Sequence, residues 1–95
     1  MIRPARWRVD YLPAARKQLS RLRQPVFNQI RAAIRSLADD PFPADSIEMR
    51  GKGQGLHRMR VGTYRVVYRV QAEQVRVLVI RVGHRRDVYS GWEGM

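Results

Sequence analysis

Cysteine is absent from this 95-residue chain, so neither a disulfide nor a thiolate metal site is available to it. Histidine occurs only as His57 and His84, too few for a zinc site, and no cofactor is implied. No apolar run approaches the roughly 20 residues that a bilayer span needs, so no membrane partner is expected. The basic start, MIRPARWRVDY, lacks the apolar segment of a secretory signal, which leaves the cytoplasm as the default location. Acid is scarce as well. Eight Asp and Glu stand against 19 Lys and Arg, a net charge of +11, and every base except Lys17 and Lys52 is arginine. A GC-rich genome accounts for arginine over lysine, but not for the surplus of base over acid. On so small a domain that surplus implies a polyanionic partner: nucleic acid, an acidic protein, or both.

What is present is concentrated in Leu56 to Tyr89, LHRMRVGTYRVVYRVQAEQVRVLVIRVGHRRDVY. Two turn signals divide it into three runs rich in Val, Tyr and Ile, the pattern of a three-stranded antiparallel meander. Gly62-Thr63 suits a two-residue hairpin loop, because glycine at the first central position accepts positive φ. That loop sets Val61 opposite Tyr64, Arg60 opposite Arg65, Met59 opposite Val66 and Arg58 opposite Val67. Since side chains alternate along a strand, Arg58, Arg60 and Arg65 then share one face. For the second connection, a loop of Ala72-Glu73-Gln74 sets Arg81 beside Arg65. It also puts Leu78, Ile80 and Val82 on the apolar face with Met59, Val61, Tyr64, Val66, Tyr68 and Val70, and leaves Val67, Val77 and Val79 among the arginines. Like charges directly opposite in a sheet are destabilising, so Arg60 facing Arg65 points to an anionic ligand.

Upstream, Trp7, Val9 and Tyr11 alternate with Arg8 and Asp10 as a short half-buried strand. Pro13 opens a helix to about Leu22, and Pro25 opens a second to about Ala38 with an apolar stripe of Val26, Ile30, Ala33, Ile34 and Leu37. So short a connection between them predicts an antiparallel helical hairpin. Phe42 to Gly55 reads as a polar loop with a short strand near Ser46 to Met49. Arg50 to Gly55 lacks the spacing and the terminal Ser/Thr of a P-loop, which leaves Lys52 as a flexible cation at the rim of the basic face. The expected fold is a single α+β domain over 1–95, two layers in β-α-α-β-β-β order, with the hairpin on one face of a small twisted, mainly antiparallel sheet. Residues 90–95, including Trp92, read as a flexible tail or a segment that docks a partner protein.

The runs LHRMRVGTYRVVYRV and VRVLVIRVGHRRDVY resemble the RelE/ParE superfamily of bacterial toxin–antitoxin toxins, and most closely its RelE branch of ribosome-dependent mRNA interferases. The resemblance covers nearly the whole chain. It implies an RNA site on the sheet face away from the helices, and cleavage of mRNA in the ribosomal A site with the mRNA's own 2′-hydroxyl as nucleophile. It also implies the partners: ribosome, mRNA and a cognate antitoxin whose acidic segment wraps the toxin. By the same resemblance the two basic positions before the hairpin turn fall on Arg58 and Arg60, lysines in several relatives. The next strand arginine is Arg65, the arginine after the last strand is Arg85, and the C-terminal tyrosine is Tyr89.

The chemistry needs these residue types. A phosphorane carries extra negative charge on its non-bridging oxygens, and a guanidinium can engage two of them. Arg65 and Arg85 are the expected catalytic cations, with Arg86 able to exchange roles with Arg85; Arg58, Arg60, Arg81 and Lys52 are expected to bind phosphate. Arginine does not readily release a proton. Proton transfer therefore falls to Tyr89, if neighbouring cations lower its pKa from about 10, or to His84. Each residue also has a plainer role open to it: the arginines as solvated strand positions, Tyr89 as a core cap, His84 as a strand-end residue, His57 as a partly buried structural histidine. Two other functions share these features. One is ParE-type inhibition of DNA gyrase without enzymatic chemistry; the other is simple nucleic-acid binding driven by charge.

Overall fold

Prolines set where both helices begin. The computed structural model describes residues 6–51 and 55–88. In it Pro13 and Pro25 occupy the first turns of α1 (Pro13–Ser20) and α2 (Gln24–Ser36), where a missing N–H leaves no acceptor unserved. The residues before them, Leu12 and Arg23, are extended, as a following proline requires. After Ser36 the chain tightens into i→i+3 bonds at Leu37, Ala38 and Asp39, so the stripe runs one residue past the helix and Leu37 is fully buried.

Five strands form one sheet: β1 (Arg8–Tyr11), β2 (Ser46–Glu48), β3 (His57–Val61), β4 (Tyr64–Gln71) and β5 (Arg76–His84), in the order β1-β5-β4-β3-β2. All neighbours are antiparallel except β1 and β5, the first and last strands, which run parallel. The fold is the expected α+β arrangement, and β2 is the short strand expected near Ser46 to Met49. β1 reaches only as far as Val79 on β5, so the Val82 N–H beyond it lacks a strand partner. The Gln18 side chain of α1 accepts it at 2.8 Å, which ties the helical layer to the sheet.

The main core lies between the layers, where Ala15, Leu19, Ile30, Ile34 and Leu37 meet Met59, Val61, Val66, Tyr68, Val77, Val79 and Val82. Tyr68 donates its hydroxyl to the Pro41 carbonyl at 2.8 Å and stacks on His57, which also meets Phe42. His57 is the half-buried histidine of this face that strand parity predicts.

The β3–β4 hairpin has the expected two-residue turn and register, with Gly62 at φ +60°. The second connection differs. It spans four residues, a 3-10 turn at Ala72–Gln74 followed by Val75 in the left-handed region at φ 49°. Val77 and Val79 therefore face the helices, opposite Val70 and Tyr68, while Leu78 and Ile80 do not join that core. A bulge between Val67 and Tyr68 lets β5 take up one extra residue, which resets the alternation so that Val82 returns to the core. The longer connection and the bulge each move the register by one residue, so Arg81 keeps the expected face but does not stand beside Arg65 as expected: it lies opposite Val67, and Gly83 lies opposite Arg65.

Candidate nucleic-acid interface

The sheet face away from the helices is built in rows across the strands. Nearest the hairpin turn lie Arg60, Arg65 and Gly83; in the next row lie Ile47, Arg58, Val67 and Arg81. Directly opposed residues such as Arg60 and Arg65 bring their Cβ atoms to about 4.5–5.5 Å. Arg58 is a diagonal neighbour of Arg65 at about 7–8 Å, within reach of a long side chain, so the three form one cationic cluster. Arg60 is exposed and Arg65 half-buried. The Arg65 Nη1 donates to the carbonyls of Gly62 and Tyr64 at 3.1 and 2.9 Å, which holds its guanidinium over the hairpin turn. The Arg58 Nε is buried and has no hydrogen-bond partner among the described residues.

Farther along the same face the charge is neutralised. Asp10 Oδ2 lies 2.9 Å from Arg8 Nε, and 2.8 Å from Arg76 Nε without the alignment of a hydrogen bond. The other ion pair among the described residues joins Arg6 to Asp39. Among the described residues, acid thus answers arginine at the β1 edge and not at Arg58 or Arg60.

Val67 lies in the middle of this face and is fully buried. Leu56 and Val88 cover it, with Met49 and Ile80 packed alongside. Parity along the strand reveals that Val67 faces this way; nothing in the pattern shows that Leu56 and Val88 fold over it. Arg85 follows β5 in an exposed turn, with its N–H bonded to the Thr63 carbonyl at 2.7 Å, so it starts beside the same hairpin turn that holds Arg65. Arg81 is half-buried, donates to the Val88 carbonyl at 2.9 Å, and has its pKa lowered by desolvation. His84 stands across from Tyr64, on the helical side, and meets its ring edge-on. Its Nδ1 accepts the Arg86 N–H at 3.2 Å. Lys52, Tyr89 and the 90–95 tail with Trp92 lie outside the described residues. Among the described residues there is no cluster of His, Cys, Asp and Glu that could hold a metal, and no helix long and apolar enough to cross a membrane.

A second feature escaped the sequence pattern. Between β1 and the helices lies a groove of about 700 Å³, with Trp7, Val9, Tyr11, Leu19 and Phe27 in its lining and the exposed arginines Arg6, Arg16, Arg31 and Arg35 around it. The Arg16 guanidinium sits 5.3 Å from the Tyr11 ring centre. These arginines are scattered over 30 residues of sequence, so only the fold gathers them.

The chain matches, over residues 9–89, the family model described as the ParE toxin of the type II toxin–antitoxin system parDE. It is 30% identical over 82 residues to Toxin RelG of Mycobacterium tuberculosis, covering 85% of this chain and 93% of that protein. Among solved structures it is similar to a chain of the RelBE2 toxin–antitoxin complex of M. tuberculosis, with a TM-score of 0.77 and 27% identity, covering 84% of this chain and 99% of that one. A chain of the archaeal RelE–RelB complex of Pyrococcus horikoshii gives a TM-score of 0.73 and 25% identity, with 86% and 98% covered. The intact Escherichia coli RelBE complex gives 0.71 and 27%, with 82% and 95% covered.

Proposed function

The chain belongs to the ParE toxin family of type II toxin–antitoxin systems, and from that premise we propose that it is a ribosome-dependent endoribonuclease. It is the toxin of a toxin–antitoxin module, with a RelE-like fold and an antitoxin as its partner. The observation that carries the finer reading is the opposition of Arg60 and Arg65, with Arg58 beside them and no carboxylate paired to Arg58 or Arg60 among the described residues.

In this reading the mRNA 2′-hydroxyl attacks the adjacent phosphate, and the bond to the 5′ oxygen breaks. The products are a 2′,3′-cyclic phosphate and a free 5′-hydroxyl. One proton leaves the 2′ oxygen and one reaches the 5′ oxygen. Arg65 and Arg85 stabilise the charge that builds on the non-bridging oxygens, while Arg58 and Arg60 hold the flanking phosphates. Tyr89 carries the proton. His84 suits that duty less well, because its Nδ1 is already bonded within the 84–88 turn. The ribosome supplies in-line geometry by fixing the mRNA in the A site.

The antitoxin has two surfaces to neutralise, and the groove beside β1 is the more specific. Its apolar lining and surrounding arginines fit an amphipathic segment with carboxylates along its flanks.

Primer extension on translated mRNA tests the assignment. Cuts within codons that appear only when ribosomes are engaged support it. The matched family model is the ParE toxin of parDE, which favours one other reading, non-enzymatic inhibition of DNA gyrase. Gyrase–DNA cleavage complexes without RNA cuts would establish that reading instead.

A further inference from the structure

After β5 the chain turns back across the arginine face, and the turn is fastened at several points. The Arg85 N–H bonds to the Thr63 carbonyl at 2.7 Å, and the amides of Asp87 and Val88 bond to the His84 carbonyl at 2.8 and 2.9 Å. The Val88 side chain is 2% exposed, buried with Val67 and Leu56. Its carbonyl accepts Arg81 Nη1 at 2.9 Å. The tightest approach is at Gly83. A Cβ there would lie 3.3 Å from Val88 Cα and 3.4 Å from Val88 Cβ, tight enough that Val88 would have to give by a few tenths of an ångström. Glycine at 83 lets the turn lie this close to the strand without that shift.

We propose that Arg81 is a positioning residue, which together with Gly83 and Val88 clasps the 85–88 turn onto the sheet and so fixes Arg85 relative to Arg65. The inference rests on the ribonuclease reading of this face. The hairpin turn is the common reference point: the Gly62 carbonyl takes Arg65, and the Thr63 carbonyl takes the Arg85 amide. A turn that lifts from the sheet at Val88 leaves that amide bond to hold Arg85 alone. The clasp also fixes Val88, the residue from which the chain continues to Tyr89. Arg81 is half-buried, and its Nη1 bond reaches from β5 to the last residue of the turn, so the guanidinium joins strand to turn.

Three variants separate the roles. Arg81→Met keeps the apolar stem and removes the donors. Gly83→Ala leaves Arg81 intact and pushes Val88 away. Arg81→Lys keeps one charged donor. In the free protein, Arg81→Met and Gly83→Ala should each speed hydrogen exchange at the Asp87 and Val88 amides about tenfold, with β4 amides unchanged, and Arg81→Lys should restore part of the protection. On programmed ribosomes, single-turnover cleavage should slow about tenfold in the first two variants, at an unchanged half-saturating ribosome concentration. Unchanged exchange in Arg81→Met, with weaker half-saturation and a shallower salt dependence, would overturn the proposal and make Arg81 a phosphate ligand. Faster exchange in Gly83→Ala with full cleavage would overturn it too. If the wild-type protein does not cleave, the ribonuclease reading falls, and exchange at Asp87 and Val88 still decides the clasp.

Discussion

Arg60 and Arg65 stand directly opposite each other across the β3–β4 ladder, an exposed cation against a half-buried one. Such a pair destabilises a sheet by a few tenths to about 1 kcal/mol. Replacing Arg60 by alanine should therefore leave the fold as stable as before, or raise it by up to about that amount, in urea denaturation. The same substitution should lower cleavage at subsaturating ribosome concentration by about tenfold or more, because a charge-assisted bond to a flanking phosphate contributes roughly 1.5–3 kcal/mol. Stability and activity moving in opposite directions is the signature of a site. A loss of both would make Arg60 a structural residue.

Net charge carries a second expectation. With +11 on 95 residues, self-repulsion opposes the compact state, and added salt screens it over a Debye length of about 8 Å at 0.15 M. The melting temperature of the free toxin should rise between low and physiological salt, followed by circular dichroism. Ribosome association should weaken over the same range, because phosphate contacts release counterions. A melting temperature that falls with salt would mean that ion pairs within the chain outweigh the repulsion.

The Tyr68 hydroxyl donates to the Pro41 carbonyl in the core. Tyr68→Phe strands that carbonyl and should lower stability by about 1–3 kcal/mol. Burial raises the pKa of Tyr68, as it does for Tyr11, where Arg16, Arg31 and Arg35 pull the other way. A pKa raised in the folded state gives a contribution that is complete below the unfolded value of about 10 and is lost as pH climbs through the folded value. Denaturation midpoints should therefore fall above pH 10, and fall less in Tyr68→Phe. Equal slopes in the two proteins would contradict this.

The groove beside β1 predicts a charge effect on partner binding. Reversing Arg31 and Arg35 to glutamate should slow association with the cognate antitoxin about tenfold at low salt, and the difference should shrink as salt rises. Cleavage by the free toxin should be unaffected, since both residues lie on α2 and away from the arginine face. Surface plasmon resonance at several salt concentrations measures it. Equal association rates would place the acidic segment elsewhere.

Much of the fold is legible in the sequence because its signals are local. Pro13 and Pro25 mark helix starts, Gly62-Thr63 fixes a hairpin, and once that turn is set the partners of Arg58, Arg60, Met59 and Val61 follow from parity. The second connection is not legible. Val75 adopts a left-handed conformation that β-branched residues disfavour, and the bulge at Val67/Tyr68 undoes the resulting slip. No residue type announces either one, so the sides taken by Val77, Leu78, Val79 and Ile80 are not legible, and Arg81 is legible in its face but not in its partner, which is Val67 and not Arg65. Of the candidate site, the arginine rows are a consequence of period two. The cover that Leu56 and Val88 place over Val67, and the groove that gathers Arg16, Arg31 and Arg35, depend on tertiary folding alone. Strain at Val75 is itself testable: Val75→Gly should stabilise the protein by about 1 kcal/mol in denaturant melts.

The most direct measurement is the chemistry of the cut ends. Purified toxin incubated with ribosomes holding a defined A-site codon should release mRNA fragments with a 2′,3′-cyclic or 3′-phosphate on one side and a 5′-hydroxyl on the other. Arg65→Ala should bind the same ribosomes and release them at a rate lower by at least a hundredfold. Intact mRNA with the wild-type protein bound in the A site, or equal cutting by Arg65→Ala, would contradict the account.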